Sequence, residues 1–309
     1  MDNNAATPAT MTAAPSSYML GAALTLVAVF FFTSSHGVVR LLGGGLHPFE
    51  IALFSNVFSV VFYLPWLMRS GISAMRTQKL RVHVMRAIVN AGALITWYVA
   101  LAIMPLADAV ALALTGPLFL TAGAILILGE HVGIRRWVAL MVGALGALII
   151  IRPGFQEVSI GVAFVLGNAT LGAGAKLFAK HLTKWDSAAV CGVYVALLQI
   201  PITLFCTLFV WQTPNLEQLF WLVAVGLMAG AAQLIMVQAY KYADVSAVEP
   251  LHYTRLIWAA LIGYFVFSEL PDIWTWVGGA VIVAATTYVA RREAKARQRL
   301  LEAAPPVAE

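Results

Sequence analysis

The chain alternates long apolar blocks with short polar punctuation. Ten blocks, at about 19–40, 49–68, 82–103, 107–128, 134–151, 158–180, 187–210, 218–240, 244–267 and 272–290, carry few charges. Each comes near the ~20 residues a helix needs to cross a hydrocarbon core of about 30 Å. The blocks are apolar all round rather than alternating with period two, which excludes the strands of a closed barrel and predicts helices. Turn chemistry separates them: "GGGLHP" at 43–48, "RPG" at 152–154, "QTPN" at 212–215 and "ELPD" at 269–272. No gap has room for a soluble domain. Residues 1–17, rich in Ala, Thr, Pro and Ser, read as a disordered tail. No Lys or Arg precedes the first block, so it is expected to be retained as a span and not cleaved as a secretory signal.

Composition agrees with lipid as the solvent. Of 309 residues, 61% are hydrophobic and only 11% charged, with mean hydropathy +0.86; a soluble domain has about 25% charged residues. Cys191 and Cys206 offer neither a disulfide framework nor metal-ligand spacing. The net charge of +5 would suggest nucleic acid if it were spread evenly, but it is not. With both termini cytoplasmic, the inner loops and tail hold Arg69, Arg76, Lys79, Arg81, Arg135, Arg136, Lys180, Lys184, Lys241, Arg291, Arg292, Lys295, Arg297 and Arg299, against Arg40 and Arg152 outside. Fourteen against two is the bias of positive-inside sorting. An error of one span would scramble it. An inner-membrane protein with both ends in the cytoplasm is expected.

A shift of 139 residues lays the chain over itself. Ala100 meets Ala239, Leu112 meets Leu251, Thr115 meets Thr254, Glu130 meets Glu269, Trp137 and Val138 meet Trp276 and Val277, and Arg152 meets Arg291. The repeat holds five spans, an odd number, so its two copies must be inverted with respect to the membrane. Inverted repeats recur in secondary transporters, with substrate held near the midplane between the halves. The expected fold is an all-α integral membrane protein of ten transmembrane helices in two inverted five-helix repeats, residues 18–154 and 155–292. A basic cytoplasmic tail, 293–309, would follow.

"PLADAVALALTGPLF…LGEHVGIRRWVALMVGALGALIIIRPG" and "QAYKYADVSAVEPLHYTRLIWAALIGYFVFSELPD" resemble the paired repeat signatures of EamA-type proteins of the drug/metabolite transporter superfamily. The resemblance spans roughly residues 20–292. It implies a carrier of amino acids, S-adenosylmethionine, riboflavin or other metabolites, and the second signature is most similar to the S-adenosylmethionine and riboflavin carriers.

Candidate site residues are the polar and aromatic groups at midplane depth. In "EPLHYTRLIW" (249–258), Glu249, His252 and Arg255 climb one helical stripe. An arginine so deep needs a cavity or a partner, Glu249 or Asp108 being the carboxylates at hand. As a cavity group it would offer its donor fork to a carboxylate or phosphate. His252 is either a proton-coupling group or a packing histidine. Arg86, Asn90 and Trp97 share a face of the third span; Asn168, followed by the small residues "LGAGAK", and Gln233 reach similar depth. Tyr253 and Trp258 are too central for interface anchors and could stack on an aromatic or cationic substrate. Pro250 and the Gly116–Pro117 step interrupt corresponding spans, several residues out of register; with Glu249 they are candidates for coupling or gating. Lys176 is expected to snorkel, His36 is a weaker candidate, and Gln199 is expected to be structural.

No catalytic residue, metal or cofactor is expected. The partners are a small-molecule substrate, the bilayer and, left open, a second copy of the chain. HExxH, GxSxG, a P-loop and clustered surface carboxylates are all missing, which disfavours the alternative of a membrane-embedded enzyme or receptor acting on a lipid or lipid-linked substrate.

Overall fold

The structure, a computed structural model, describes residues 15–119, 134–152, 159–182, 185–242 and 249–303. Among them all regular structure is helical. Ten α-helices run α1 (Pro15–Leu42), α2 (Pro48–Ser70), α3 (Leu80–Ile103), α4 (Leu106–Ala113), α5 (Ile134–Ile151), α6 (Ile160–Leu182), α7 (Ala188–Thr207), α8 (Leu216–Tyr242), α9 (Arg255–Phe267) and α10 (Ile273–Ala303), with 3-10 turns at Ile72–Met75 and Glu249–Thr254. Six of them, α1, α2, α3, α6, α7 and α8, contain stretches long and apolar enough to cross a membrane, and four shorter apolar helices accompany them. The chain is an integral membrane protein.

Two expected helix boundaries need correction, and the two expected interruptions are full breaks of the α-helix. Helix α1 starts at Pro15, inside the stretch read as a tail; Pro is well placed in a first turn because its missing N–H is not needed there. Helix α10 does not stop at 290 but continues through the basic segment to Ala303. The ninth block is not one continuous helix, since a 3-10 turn occupies Glu249–Thr254 and α-helix begins only at Arg255. The fourth block is broken too: α4 ends at Ala113, residues 114–115 form a turn, and helix resumes at Gly116. Pro117 explains this second break, because it has no N–H for the carbonyl of Ala113 four residues back.

Contacts between helix ends define two faces of the bundle. The ends of α1, α3 and α9 meet through Arg40, which donates to the carbonyls of Leu101 and Met104 and to the Glu269 carboxylate. Arg152 pairs with Asp272, and Gln218 Nε2 donates to the Gly45 carbonyl. The buried Glu50 at the start of α2 accepts the N–H groups of His47 and Gln212. This is the Arg40 face. On the opposite Lys79 face, Thr77 Oγ1 donates to Asp186 at 2.7 Å, His83 Nε2 lies 2.9 Å from the same oxygen, and Tyr194 donates to the Met75 carbonyl at 2.7 Å.

Between the faces, α1 packs on α8 and α3 on α6; α2 on α8 and α3 on α7; α1 on α9 and α4 on α6. The pairs α2–α7, α4–α9 and α5–α10 also pack together. In lipid, helices associate through close van der Waals fit, and small residues permit the closest approach. Gly226 and Gly230 of α8 seat Phe58 and Phe62 of α2, where an added Cβ would lie 2.4 and 2.8 Å from ring-bearing side chains. At the α5–α10 crossing, a Cβ on Gly278 would lie 2.5 Å from the backbone oxygen of Gly146.

Backbone cannot yield as a side chain can, so Gly278→Val is expected to overpack α5–α10. Overpacking of this kind costs about 1–3 kcal/mol, and the variant's thermal midpoint in detergent should fall by several degrees. Gly172→Ala, at a position with no atom within 4 Å, should leave the midpoint unchanged.

Candidate functional site

A cavity of about 400 Å³ lies between α1, α3, α4, α6, the 249–254 turn and the start of α9. Helix α3 contributes Arg86, Asn90, Ala93, Leu94 and Trp97, one face at i, i+4, i+7, i+8 and i+11. Helix α6 presents a mostly small-residue face: Asn168, Ala169, Gly172, Ala173, Ala175, Lys176 and Ala179. Ala113, Leu114, Gly116 and Pro117 come from the broken α4; His252, Tyr253 and Arg255 come from the 3-10 turn and the first residue of α9; His36 comes from α1.

The two interruptions share one local design. Thr115 Oγ1 donates to the Leu112 carbonyl at 2.7 Å, and Thr254 Oγ1 donates to the Leu251 carbonyl at 2.6 Å. A threonine hydroxyl bonded back to its own turn competes with regular helical bonding, and bends or ends helices. Helix then resumes at Gly116 in one case and Arg255 in the other, positions separated by the same 139 residues as the sequence repeat. The prolines are out of register in the sequence, but the breaks are in register in the fold.

Several lining groups are held from behind. Asn168 Nδ2 donates to the Ala93 carbonyl across the α3–α6 contact at 2.8 Å. The hydroxyls of Tyr253 and Thr286 lie 2.7 Å apart, fixing the Tyr253 ring to α10. His36 meets the Trp97 ring edge-on with centroids 5.2 Å apart. Arg86 donates one guanidinium N–H to the Cys191 carbonyl of α7 at 3.0 Å.

Of the residues singled out in the sequence, the cavity gathers Arg255, His252, Tyr253, Arg86, Asn90, Trp97, Asn168, Gly116 and Pro117. Two do not join them. Gln233 is exposed on α8, because it lies one residue, about 100° of helix, beyond the fully buried Ala232. Trp258 packs edge-on against Phe30 of α1 at 5.1 Å, away from the lining. Glu249 and Pro250 open the 3-10 turn, and their side chains lie outside what is described. Asp108, one possible partner for Arg255, accepts the Thr275 hydroxyl of α10 at 2.6 Å. Gln199 donates within α7 to the Val195 carbonyl at 2.9 Å. Lys176, expected to snorkel, lines the cavity instead, as does His36. The alanine and glycine face of α6 was legible only as a run of small residues.

Toward the Arg40 face the described lining meets packed side chains. Trp97, Leu101, Val39, Leu106, Val110 and Leu256 belong to one packed core on that side. Beyond it stands the Arg40 cluster, with the guanidinium 5.1 Å from the Phe267 ring centroid. Glu269 pairs with Arg40; its repeat counterpart Glu130 lies outside the described residues. The lining descends the other way, to Arg86, Lys176 and Ala179.

A polar hollow reaching the centre of a lipid-embedded bundle and stopped by a packed plug defines a membrane carrier for small molecules. The chain belongs to the EamA-like transporter family, which it matches twice, over residues 19–152 and 159–291. It is 35% identical to a riboflavin transporter of Vibrio cholerae over 82% of this chain and 87% of that protein. It is 26% identical to an S-adenosylmethionine uptake transporter of Rickettsia bellii, over 91% of this chain and 97% of that one. A crystal structure at 17% identity superposes with TM-score 0.62 over 90% of this chain and 98% of its own, a likeness of fold alone. The protein is thus a transporter, and the alternative of a membrane-embedded enzyme is set aside.

If the cavity is wet, single cysteines will report it in a background with Cys191 and Cys206 replaced by alanine. Gly172→Cys and Ala173→Cys should react with a water-soluble maleimide within minutes. Thr203→Cys, at a fully buried position of α7, should stay unlabelled until the protein is denatured.

Proposed function

We propose that residues 18–154 and 155–292 are inverted copies of one unit, and that the protein carries a small organic metabolite across the bacterial inner membrane by alternating access. The packing supports inversion. Exchanging each helix n of the first five for helix n+5 turns α1–α8 into α6–α3, α2–α8 into α7–α3 and α1–α9 into α6–α4, all contacts the fold contains. The exchange leaves α2–α7, α4–α9 and α5–α10 as pairs of equivalents. Helix α1 ends on the Arg40 face and its equivalent α6 begins there, as an inverted relation requires.

The observation that carries the reading is the pair of matched helix breaks on the cavity wall. Interrupted helices at the midplane, one from each half, are where carriers of this design hold substrate, because freed backbone groups are tolerated only beside water or protein. The charge bias assigns the Lys79 face and both termini to the cytoplasm. The state described is then open inward, with the Arg40–Glu269 pair and the core beneath it closing the outer path. An outward-open state would require those contacts to separate as the two halves rock about the cavity.

For the substrate, Tyr253 and Trp97 offer ring surface, Arg255 a forked donor, and Asn90 and Asn168 amide groups. That set fits a flat, polar metabolite. The riboflavin and S-adenosylmethionine carriers among the relatives support this size and shape, each of their substrates having a heteroaromatic ring system. His252, Glu249, Pro250, Gly116 and Pro117 lie along the moving seam and are proposed as coupling or gating positions.

Reconstituted into proteoliposomes, the protein is expected to give saturable uptake of a flat metabolite, with radiolabelled riboflavin and S-adenosylmethionine as first probes. Arg255→Ala should cut that flux at least tenfold while insertion and thermal midpoint stay as in the parent. Unchanged flux in this variant would remove Arg255 from the site.

A further inference from the structure

An amide side chain in the middle of a membrane span needs a partner, because hydrocarbon offers it none and desolvating it unpaired is costly. Asn90 is the eleventh of the 24 residues of α3, about halfway along the span, and it lines the cavity. Most polar groups around it are held by the protein. Arg86, one turn earlier on the same face, donates to the Cys191 carbonyl of α7. Asn168 of α6 donates to the Ala93 carbonyl, and the hydroxyls of Tyr253 and Thr286 bond each other. Lys176, His252 and Arg255 each have an interaction within the protein. Asn90 differs from all of these. Its side chain makes no hydrogen bond to a described residue, and it is half-buried on the cavity wall, not sealed in packing.

Small residues shape the space in front of that amide. Asn90 and Trp97 are seven residues apart on α3, about 10 Å along its axis, and the buried Ala93 lies between them on the cavity face. Helix α6, packed against α3, presents Ala169, Gly172 and Ala173 to the same hollow. At Gly172 even an added Cβ would meet no atom within 4 Å. A cargo entering here displaces water from the Asn90 amide, and it loses affinity unless it returns the hydrogen bonds that the water made.

We propose that Asn90 reads the rim of the cargo's ring, so that the preferred compounds are flat heterocycles carrying a hydrogen-bond donor beside an acceptor on one edge. An asparagine amide holds its NH2 and C=O side by side. It pairs in plane with such an edge through two hydrogen bonds, as asparagine does with the N6/N7 edge of adenine in DNA. Two kinds of ring qualify, cyclic imides such as the pyrimidine ring of a flavin, and aminopurines. In this arrangement the ring covers Ala93, with one end by Trp97 and its polar rim at Asn90. Asn168 is the poorer reader, because its amide nitrogen already holds the α3 backbone. The net charge of the compound is immaterial to this pairing. This role for Asn90 rests on the carrier reading and deepens it: among flat rings of similar size, the pattern of donors and acceptors on the rim decides.

Titration calorimetry on the purified protein in detergent tests this with two matched pairs. Riboflavin is set against 3-methylriboflavin, whose imide N–H is blocked, and adenosine against purine riboside, which lacks only the 6-amino group. Within each pair that the protein binds, the intact member should bind about ten- to a hundredfold more tightly than its partner. Which pair responds distinguishes an imide reader from an aminopurine reader. Asn90→Leu, which removes both hydrogen bonds and keeps the bulk, should bind the two members of a pair equally, with the thermal midpoint of the parent. Asn90→Ala, which removes the amide without filling its place, should do the same. Equal binding of both members by the parent protein would overturn the role of Asn90 and leave the carrier reading standing. So would a preference that persists in the two variants, or variants that weaken both members by one factor, which marks a merely structural asparagine. Failure of riboflavin and adenosine alike to bind the parent would overturn the flat-ring carrier reading and this role together.

Discussion

A cation inside a bilayer is tolerated only where water or protein solvates it, and that constraint organises this molecule. Charge at the hydrocarbon centre costs at least about 2.5–3.5 kcal/mol even on the most lenient scales. Three basic side chains, Arg86, Lys176 and Arg255, lie a turn or more inside the ends of their apolar blocks, on three different helices, and all three line one hollow. The convergence gives each group a polar surrounding and gives the hollow its chemistry. The same rule applied to backbone explains why the breaks in α4 and before α9 sit on the cavity wall and not against lipid.

The helix breaks link fold to transport. A regular helix satisfies its own backbone and offers a passing molecule only side chains. At 114–115 and 249–254 the chain is off the α-helical path, a threonine hydroxyl bonds back to its own turn, and α-helix runs on from Gly116 and from Arg255. Such joints bend at low cost, because the hydrogen bonds that would resist bending are already missing. Around them the rest is stiff. The glycine contacts of α8 on α2 and of α5 on α10 bring helices close to backbone distance, which suits bodies that move as units.

Closure on the Arg40 face combines two kinds of contact. Apolar packing from Val39 to Leu256 excludes water, and the Arg40 cluster ties α1 and α3 to the end of α9. Partly exposed ion pairs are modest in energy, as a gate that must reopen requires. The Lys79 face has its own network, in which His83 and Thr77 share Asp186, but this network joins α3 to α7 beside the cavity and does not bridge it. That difference leaves the path toward the Lys79 face as the open one, the inner path on the proposed orientation.

Much of the architecture was legible in the chain because lipid imposes a simple code. Span length, apolarity and the placement of lysines and arginines follow from bilayer thickness and charge cost, and these predicted the helical bundle and the depth of Arg255 and Arg86. The 139-residue repeat was visible in the matched Thr115 and Thr254, though what those threonines do was not, since a back-bonded hydroxyl has no signature in composition. The packing of one helix against another belonged to the tertiary structure. Depth is a one-dimensional quantity, but facing depends on helical phase and on which neighbour arrives. Gln233 therefore proved to be exposed, Trp258 met Phe30, and Lys176 joined the cavity. The sequence determined which groups lie within the membrane, and only the folded bundle decided which of them share a space.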